Sequence, residues 1–207
     1  MNEQEQLWSG HFGDEYHQRN RAASPANDVA FFKRALRDAT LTEGAKVLEL
    51  GAGSGHNLRA LLRVLDRPYL AGVELNREAW DRLNNVADEA THSALADYTP
   101  STTYDLVFTK GLLIHIHPDQ LPAVYALIEH CAARYILLAE YFNPTPVGIE
   151  YRGQKDALWK RDFAGDMLDA YPALRVVDYG FVWRRDRYPQ DDVTYFLLER
   201  TDGNLPG

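Results

Sequence analysis

The stretch LELGAGSGH, residues 48–56, limits the possible folds of this chain more than any other feature of the sequence. It overlaps the apolar segment AKVLEL at residues 45–50, which predicts a short buried strand. It then runs into residues 56–65, where leucines recur at helical spacing. A strand, a glycine-rich turn and a helix amino terminus form a nucleotide-binding geometry in α/β proteins, so we expect a ligand at this turn.

Strands and helices alternate along most of the chain. Two strands near the carboxyl end, at about 174–183 and 192–200, are joined by the turn-rich segment RRDRYPQDD and predict an antiparallel hairpin. The alternation before them is typical of a parallel sheet with helices on both faces. The sequence therefore indicates an α/β fold with a seven-stranded, mostly parallel sheet. The other predicted strands lie at residues 69–74, 91–94, 104–109 and 134–140, and the helices at residues 27–39, 56–65, 77–88, 118 to about 132, and 163–170.

Length and composition narrow the class of protein. The 207 residues predict a single domain, residues 1–207. Within it we distinguish an amino-terminal helical segment at residues 1–40 and an insertion at residues 142–172. The formal net charge of −8 disfavours a nucleic-acid partner. The single cysteine, Cys131, fits a cytoplasmic location, and no apolar run reaches the roughly 18 residues of a membrane span. We expect no metal, and either a monomer or a homodimer.

The details of the glycine turn discriminate among nucleotides. No lysine follows Gly55, which argues against a triphosphate loop, and His56 stands where the dinucleotide fingerprint needs glycine. The pattern present is Glu49-x-Gly51-x-Gly53-x-Gly55. It resembles motif I of the Rossmann-like S-adenosylmethionine (SAM) methyltransferases. In that class the glycine backbone packs under the methionine part of SAM.

Further features fall in the order that this resemblance requires. Glu74 ends the second predicted strand and can accept hydrogen bonds from two ribose hydroxyls, and Asp97 can accept one from the adenine amine. Alternatively, each acid is a solvated strand end or a helix cap. SAM is therefore the predicted cofactor, with S-adenosylhomocysteine (SAH) as its product. The predicted cofactor-binding residues are Tyr16, Arg19, Glu49, Gly51, Gly53, Gly55, Asn57, Glu74, Leu75, Asp97, Tyr98 and Lys110.

Two of these residues belong to an amino-terminal segment that resembles a lid over SAM. Tyr16 would cover the sulfonium by a cation–π contact, and Arg19 would bind the SAM carboxylate. The alternative is an amphipathic segment that only packs on the domain.

A narrower resemblance covers nearly the whole chain, from Trp8 to Glu199. The segments WSGHFGDEYHQRN, FTKGLLIHIHPDQLP, EYFNPTPVGIEYRGQKDALWKRDFAG and VVDYGFVWRRDRYPQDDVTYFLLE look like the methylases associated with pseudaminic acid biosynthesis. That resemblance implies SAM-dependent methyl transfer in the context of nonulosonic-acid sugars. Two positions depart from the family pattern, since His117 stands in place of an expected asparagine and Gln154 in place of an expected histidine.

The chemistry of methyl transfer points to a base and an acceptor site. His115 follows the fourth predicted strand, where the methyl group should point, and is the predicted catalytic base. Alternatively, it is a partly buried histidine that hydrogen-bonds a backbone carbonyl. Residues 142–162 are interpreted as a long loop that binds the acceptor, although its charges could also pair locally with Glu150, Asp156 and Asp162. The predicted acceptor-binding residues are Tyr141, Tyr151, Arg152, Lys155, Lys160 and Arg161.

These observations favour a SAM-dependent methyltransferase that acts on a small polar, anionic metabolite such as a sugar acid. The alternatives are O- or N-methylation of an amino-acid-like or phosphonate-like molecule, or a SAM-binding protein without catalysis. A dinucleotide oxidoreductase is a weaker alternative because of His56.

Overall fold

The fold is built around a seven-stranded sheet with helices packed on its faces. The computed structural model describes residues 3–19, 24–151 and 154–201. The strands are β1 (Lys46–Leu50), β2 (Tyr69–Glu74), β3 (Glu89–His92), β4 (Tyr104–Lys110), β5 (Ala132–Glu140), β6 (Val147–Tyr151), β7 (Gln154–Lys160), β8 (Leu174–Val182) and β9 (Val193–Arg200). The helices are α1 (Glu3–Ser9), α2 (His11–Arg19), α3 (Pro25–Ala35), α4 (His56–Leu61), α5 (Arg77–Leu83), α6 (Leu121–Cys131) and α7 (Phe163–Ala170).

The seven-stranded sheet has the order β3-β2-β1-β4-β5-β9-β8. Strands β1 to β5 pair in parallel, and β9 is antiparallel to both of its neighbours, β5 and β8. The predicted fold class, including the C-terminal hairpin, is confirmed. The strand order reverses between β1 and β4, and in open α/β sheets the crevice outside the carboxyl ends at such a point binds ligands.

Alternation of side chains along the central strands divides the core in two. Leu48 and Val107 belong to one cluster, with α6 and α7, while Val47 and Leu106 belong to the other, with α3 and α4. All four side chains are fully buried. Because successive residues of a strand point to opposite faces, a strand covered on both faces must be apolar throughout. This requirement explains why the apolar runs of the sequence predict the strands well.

The predicted boundaries differ from the structure in several places. The prediction of an unstructured loop over residues 142–162 is wrong, because β6 and β7 form a separate two-stranded antiparallel sheet there. Ala157, Leu158 and Trp159 of β7 are buried, so burial stabilises a segment that the surrounding prolines and glycine had marked as loop. The third strand begins two residues earlier than predicted, and the helices predicted at 56–65 and 77–88 end at Leu61 and Leu83.

The amino-terminal helices dock on the carboxyl edge of the sheet through Asn76. Its Nδ2 donates to the Trp8 carbonyl at 3.3 Å and to Asp14 Oδ1 at 2.8 Å. Its Oδ1 accepts from the Ala79 amide at 3.0 Å and thereby caps α5. One buried side chain thus ties α1 and α2 to the start of α5. Within the described ranges, no helix has the length and apolar character needed to cross a membrane.

We predict that Asn76→Ala loosens the amino-terminal helices. Loss of the helix cap should lower the free energy of unfolding by about 1 kcal/mol, and residues 3–19 should exchange their amide hydrogens faster because two further hydrogen bonds are lost. Chemical denaturation and hydrogen exchange measure the two effects. The control is Asn85→Ala, whose side chain donates only to the Asp81 carbonyl on the surface. Equal exchange in both variants would contradict this role of Asn76.

Candidate functional site

A cavity of about 960 Å³ lies at the carboxyl ends of the central strands. Its floor includes Gly51 and Gly53 after β1, Glu74 at the end of β2, and Lys110 at the end of β4. Helix α1 and the loop at residues 189–191 contribute its walls. Ligand pockets usually measure roughly 300–1,000 Å³, so this cavity has room for a nucleotide-sized molecule and a second small molecule.

The glycine turn after β1 is pinned to β2. The amides of Gly51 and Ala52 both donate to the Val73 carbonyl, at 2.9 and 3.0 Å. Gly51 has φ +70°, and a Cβ at this position would lie 2.6 Å from Cδ1 of Leu112. Only glycine satisfies both the left-handed backbone and this close approach.

Glu74 completes the turn from the opposite side. Its Oε2 accepts from the Gly53 amide and its Oε1 from the Asn76 amide, each at 2.7 Å. Burial raises the pKa of this carboxyl above its usual value, and the two amide hydrogen bonds oppose the shift. Each carboxyl oxygen has a second lone pair, so Glu74 can accept further hydrogen bonds from a ligand in the cavity.

A polar network connects the cavity to the layers beneath it. Lys110 Nζ donates to Asp28 Oδ1 and to Asn57 Oδ1, both at 3.2 Å. Asn57 Nδ2 donates to Glu49 Oε1 at 2.6 Å, and Gln190 Nε2 donates to Asp28 Oδ1 at 3.3 Å. Burial raises the pKa of Glu49 well above its usual range, and the hydrogen bond that Glu49 accepts orients Asn57. The network fixes the position of the Lys110 ammonium at the cavity wall.

His115 lies on the cavity wall in a short 3₁₀ turn after β4. Its Nδ1 lies 2.8 Å from the Ala157 carbonyl oxygen, which can only accept, so Nδ1 carries the hydrogen and Nε2 keeps a lone pair. Burial lowers the pKa of His115 to about 4. The Trp8 ring lies 4.4 Å from the imidazole, centroid to centroid. The two interpretations of His115 are thus compatible, since it bonds a backbone carbonyl and also lines the cavity.

Glu140, at the end of β5, anchors the segment that carries His115. Its carboxyl oxygens accept from the amides of Leu112 at 3.2 Å and Ile114 at 3.4 Å. Burial raises the pKa of Glu140 to about 7, and the loop amides partly oppose that shift. Sequence reasoning missed this residue, although an acid that ends an apolar strand, as Glu74 also does, was a usable signal.

The structure brings most of the predicted cofactor residues together, but not all of them. Asp97 is exposed and Tyr98 is buried in the core with its hydroxyl 3.5 Å from that of Tyr104, so neither lines the cavity. The reason is the 3₁₀ turn at Leu95–Asp97, which presents residues 93–96 to the cavity instead. The predicted site residues that line the cavity are Gly51, Gly53, Asn57, Glu74, Leu75, Lys110, His115 and Tyr141.

Other predicted residues lie behind the cavity wall or outside the described chain. Glu49 lies behind Asn57, and Gly55 begins α4 with φ +76°. Arg152 lies outside the residues that the structure describes. The structure also does not describe the side chains of Tyr16, Arg19 and Lys155.

Of the basic residues predicted to bind the acceptor, the structure describes the side chains of Lys160 and Arg161, and these are not at the cavity. Arg161 forms an ion pair with Asp166 at 2.6 Å, and Lys160 Nζ lies 5.1 Å from the centroid of the Tyr141 ring. Neither lines the cavity. The Tyr151 ring lies 5.5 Å from that of His115, behind the cavity surface.

The cavity residues that sequence reasoning missed include two acids and one amide that meet at one wall: Asp28, Asp191 and Gln190. Asp28 shares one face of α3 with the buried Phe31, Phe32 and Ala35, and an acid within such an apolar stripe was a usable signal. The sequence holds no comparable signal for Gln190 and Asp191.

Comparison with known proteins agrees with this geometry. The family profile described as "Methyltransferase domain" matches residues 17–179. Magnesium protoporphyrin IX methyltransferase from Synechocystis PCC 6803, solved with bound SAH, superposes with a TM-score of 0.70 at 14% identity, over 95% of this chain and 97% of that one. No protein of curated function matches the sequence.

A second similar structure is 1,6-didemethyltoxoflavin-N1-methyltransferase from Burkholderia thailandensis, solved with 1,6-didemethyltoxoflavin and SAH. It superposes with a TM-score of 0.69 at 18% identity, over 96% of this chain and 87% of that one.

We predict that the stability of the Glu140→Gln variant, relative to that of the wild type, increases as the pH rises from about 5 to about 7. The folded-state pKa near 7 exceeds the usual 4.5, so Glu140 contributes stability below pH 4.5 that is lost as the pH rises through 7. Glutamine does not titrate. The difference in unfolding free energy between variant and wild type should therefore grow by up to about 3 kcal/mol.

Urea denaturation across that pH range measures this difference. The control is Glu199→Gln. Burial raises the pKa of Glu199, but hydrogen bonds from Arg134 and Arg175 lower it by a larger amount. The net shift of this pKa is therefore downward. The difference in unfolding free energy between Glu199→Gln and the wild type should therefore not grow over this pH range. A pH-independent difference for Glu140→Gln would contradict the raised pKa.

Proposed function

The chain belongs to the methyltransferase domain family, and from this premise we propose that it is a SAM-dependent methyltransferase that acts on a small polar molecule. The observation that carries the proposal is the glycine turn bonded to Glu74 on the floor of a large cavity. SAM supplies a methyl group whose carbon is made electrophilic by the attached sulfonium.

The residues at the cavity fit such a donor. The Glu74 carboxyl can accept hydrogen bonds from both ribose hydroxyls, and the backbone at residues 93–96 and Leu75 provides the neighbouring wall for the adenine. Gly51 has a left-handed backbone and no side chain, so the turn presents its backbone at the cavity floor. The Lys110 ammonium is placed to hold the carboxylate of the methionyl group.

His115 supplies the base. Since its Nδ1 donates to the Ala157 carbonyl, its Nε2 lone pair is the one left to take a proton from an acceptor. The lowered pKa keeps the imidazole neutral at physiological pH, and therefore competent as a base. A positioned base of this kind contributes about 10²–10⁴-fold to the rate.

The acceptor is a small molecule. The similar structures are enzymes named for magnesium protoporphyrin IX and 1,6-didemethyltoxoflavin, which are both small molecules. The expectation of an anionic sugar acid relied in part on the basic side chains of the predicted loop at residues 142–162. The described part of that loop gives it no support, because Lys160 and Arg161 do not line the cavity.

We predict that Glu74→Gln weakens SAH binding about tenfold or more, because hydrogen bonds to a charged acceptor contribute roughly 1.5–3 kcal/mol. Titration calorimetry with SAH measures the dissociation constant. The control is Glu78→Gln, which removes an exposed carboxylate that pairs with Arg82 on α5. Unchanged affinity in Glu74→Gln would refute the role of Glu74. A wild-type protein that binds NADH and neither SAM nor SAH would refute the proposed function.

We predict that His115→Gln lowers kcat by about 10²–10⁴-fold for an acceptor that must lose a proton, while SAH affinity stays unchanged. In the wild type, His115 should leave kcat/KM flat between about pH 6 and pH 8, because its pKa of about 4 lies well below that range. Steady-state kinetics measure both quantities. His117→Gln is the control, since His117 does not line the cavity. Full activity in His115→Gln would show that no base is needed.

A further inference from the structure

The described walls of the cavity carry far more acidic than basic side chains. Lys110 is the one lysine or arginine of the described residues that lines it, and Asp28 already compensates its charge. Bound SAM would add one net positive charge, the sum of its sulfonium, ammonium and carboxylate. This single charge is smaller than the excess of acidic over basic side chains in the described lining. The acidic residues of the described lining are Glu5, Asp28, Glu74, Asp119 and Asp191.

Asp28 is the least exposed of the acidic residues that line the cavity. The residue is 6% exposed, and its Oδ1 accepts from both Lys110 and Gln190. Its Oδ2 has no hydrogen-bond partner in the described part of the chain and is left open to a donor from the cavity. A ligand that brings an N–H group into the cavity could donate to that oxygen.

Asp191 lies beside this group on the cavity rim. The Tyr141 hydroxyl donates to its Oδ2 at 2.5 Å, which orients the carboxylate, and Gln190 connects the same loop to Asp28. Among the described residues Asp191 has no cationic partner, whereas the adjacent Asp192 forms an ion pair with Arg184 at 3.1 Å. Gln190 therefore connects the loop of Asp191 to Asp28, and Lys110 can balance the charge of only one of these two carboxylates.

We propose that the acceptor carries a basic amine, and that the protein recognises it as an ammonium through Asp191 and the open oxygen of Asp28. This assignment rests on the proposed function and names the substrate class of the same cavity. An ammonium offers charge-assisted N–H donors to both carboxylates, whereas a carboxylate ligand would meet repulsion from them. The Trp8 ring, which also lines the cavity, provides an aromatic surface that attracts cations.

The test compares ligands of similar size and opposite charge. Tyramine is paired with 4-hydroxyphenylacetate, and glucosamine with glucuronate, in calorimetric titrations of the SAH-loaded protein. At least one amine should bind about tenfold or more tightly than its acidic partner, and Asp191→Asn should reduce that amine's affinity about tenfold to a hundredfold. Asp192→Asn is the matched control, because it removes the neighbouring carboxylate, which does not line the cavity, and should leave the affinity unchanged.

The outcomes separate this inference from the proposed function. A protein that does not bind SAH defeats the proposed function. A protein that binds SAH but shows no amine binding, or binds the acids as tightly as the amines, overturns the amine assignment alone. Equal loss of affinity in Asp191→Asn and Asp192→Asn also overturns it, since a general field effect would then explain the result.

Discussion

The hydrogen bond from the Gly53 amide to the Glu74 carboxyl joins the two features on which the rest of the site depends. The glycine turn follows β1 and Glu74 ends β2, and the parallel register of Leu50 with Val73 brings the two strand ends side by side. A shift of that register by one residue would turn Glu74 to the other face of the sheet. The fold thus fixes the cavity floor through the pairing of two buried strands, before any loop contributes.

Acids at strand ends recur as anchors for the loops around the cavity. Glu74 accepts amides from the turn after β1 and from the start of α5, and Glu140 accepts amides from the segment after β4. Burial raises the pKa of both groups, which reflects the cost of removing them from water. Backbone amides that would otherwise lie unpaired in the interior offset this cost. The same device therefore positions the floor of the cavity and the wall that carries His115.

Local sequence patterns predicted the sheet because each buried strand must be apolar on both faces. They also predicted Gly51, Glu74 and His115 at the cavity, since Gly51 directly follows β1, Glu74 ends β2, and His115 lies in the segment after β4. They failed where position depends on distant contacts. Asp28 and Gln190 meet across 162 positions of the chain, and no local spacing encodes that pairing.

Asp97, Lys160 and Arg161 lie away from the cavity for a different reason. The expectations for these residues assigned a direction to side chains in irregular segments, and a 3₁₀ turn and a local ion pair decided those directions instead. A charged residue in a loop is therefore weaker information about a site than an acid that ends a buried strand. The acceptor end of the cavity includes such irregular segments. For this reason the acidic character of its lining was visible only in the structure.

A crystal structure of the complex with SAH tests the central claim most directly. The account predicts that both ribose hydroxyls lie within hydrogen-bond distance of the Glu74 carboxyl, with the methionyl carboxylate beside Lys110. SAH bound with its ribose away from Glu74, or bound outside the cavity after β1, would contradict it.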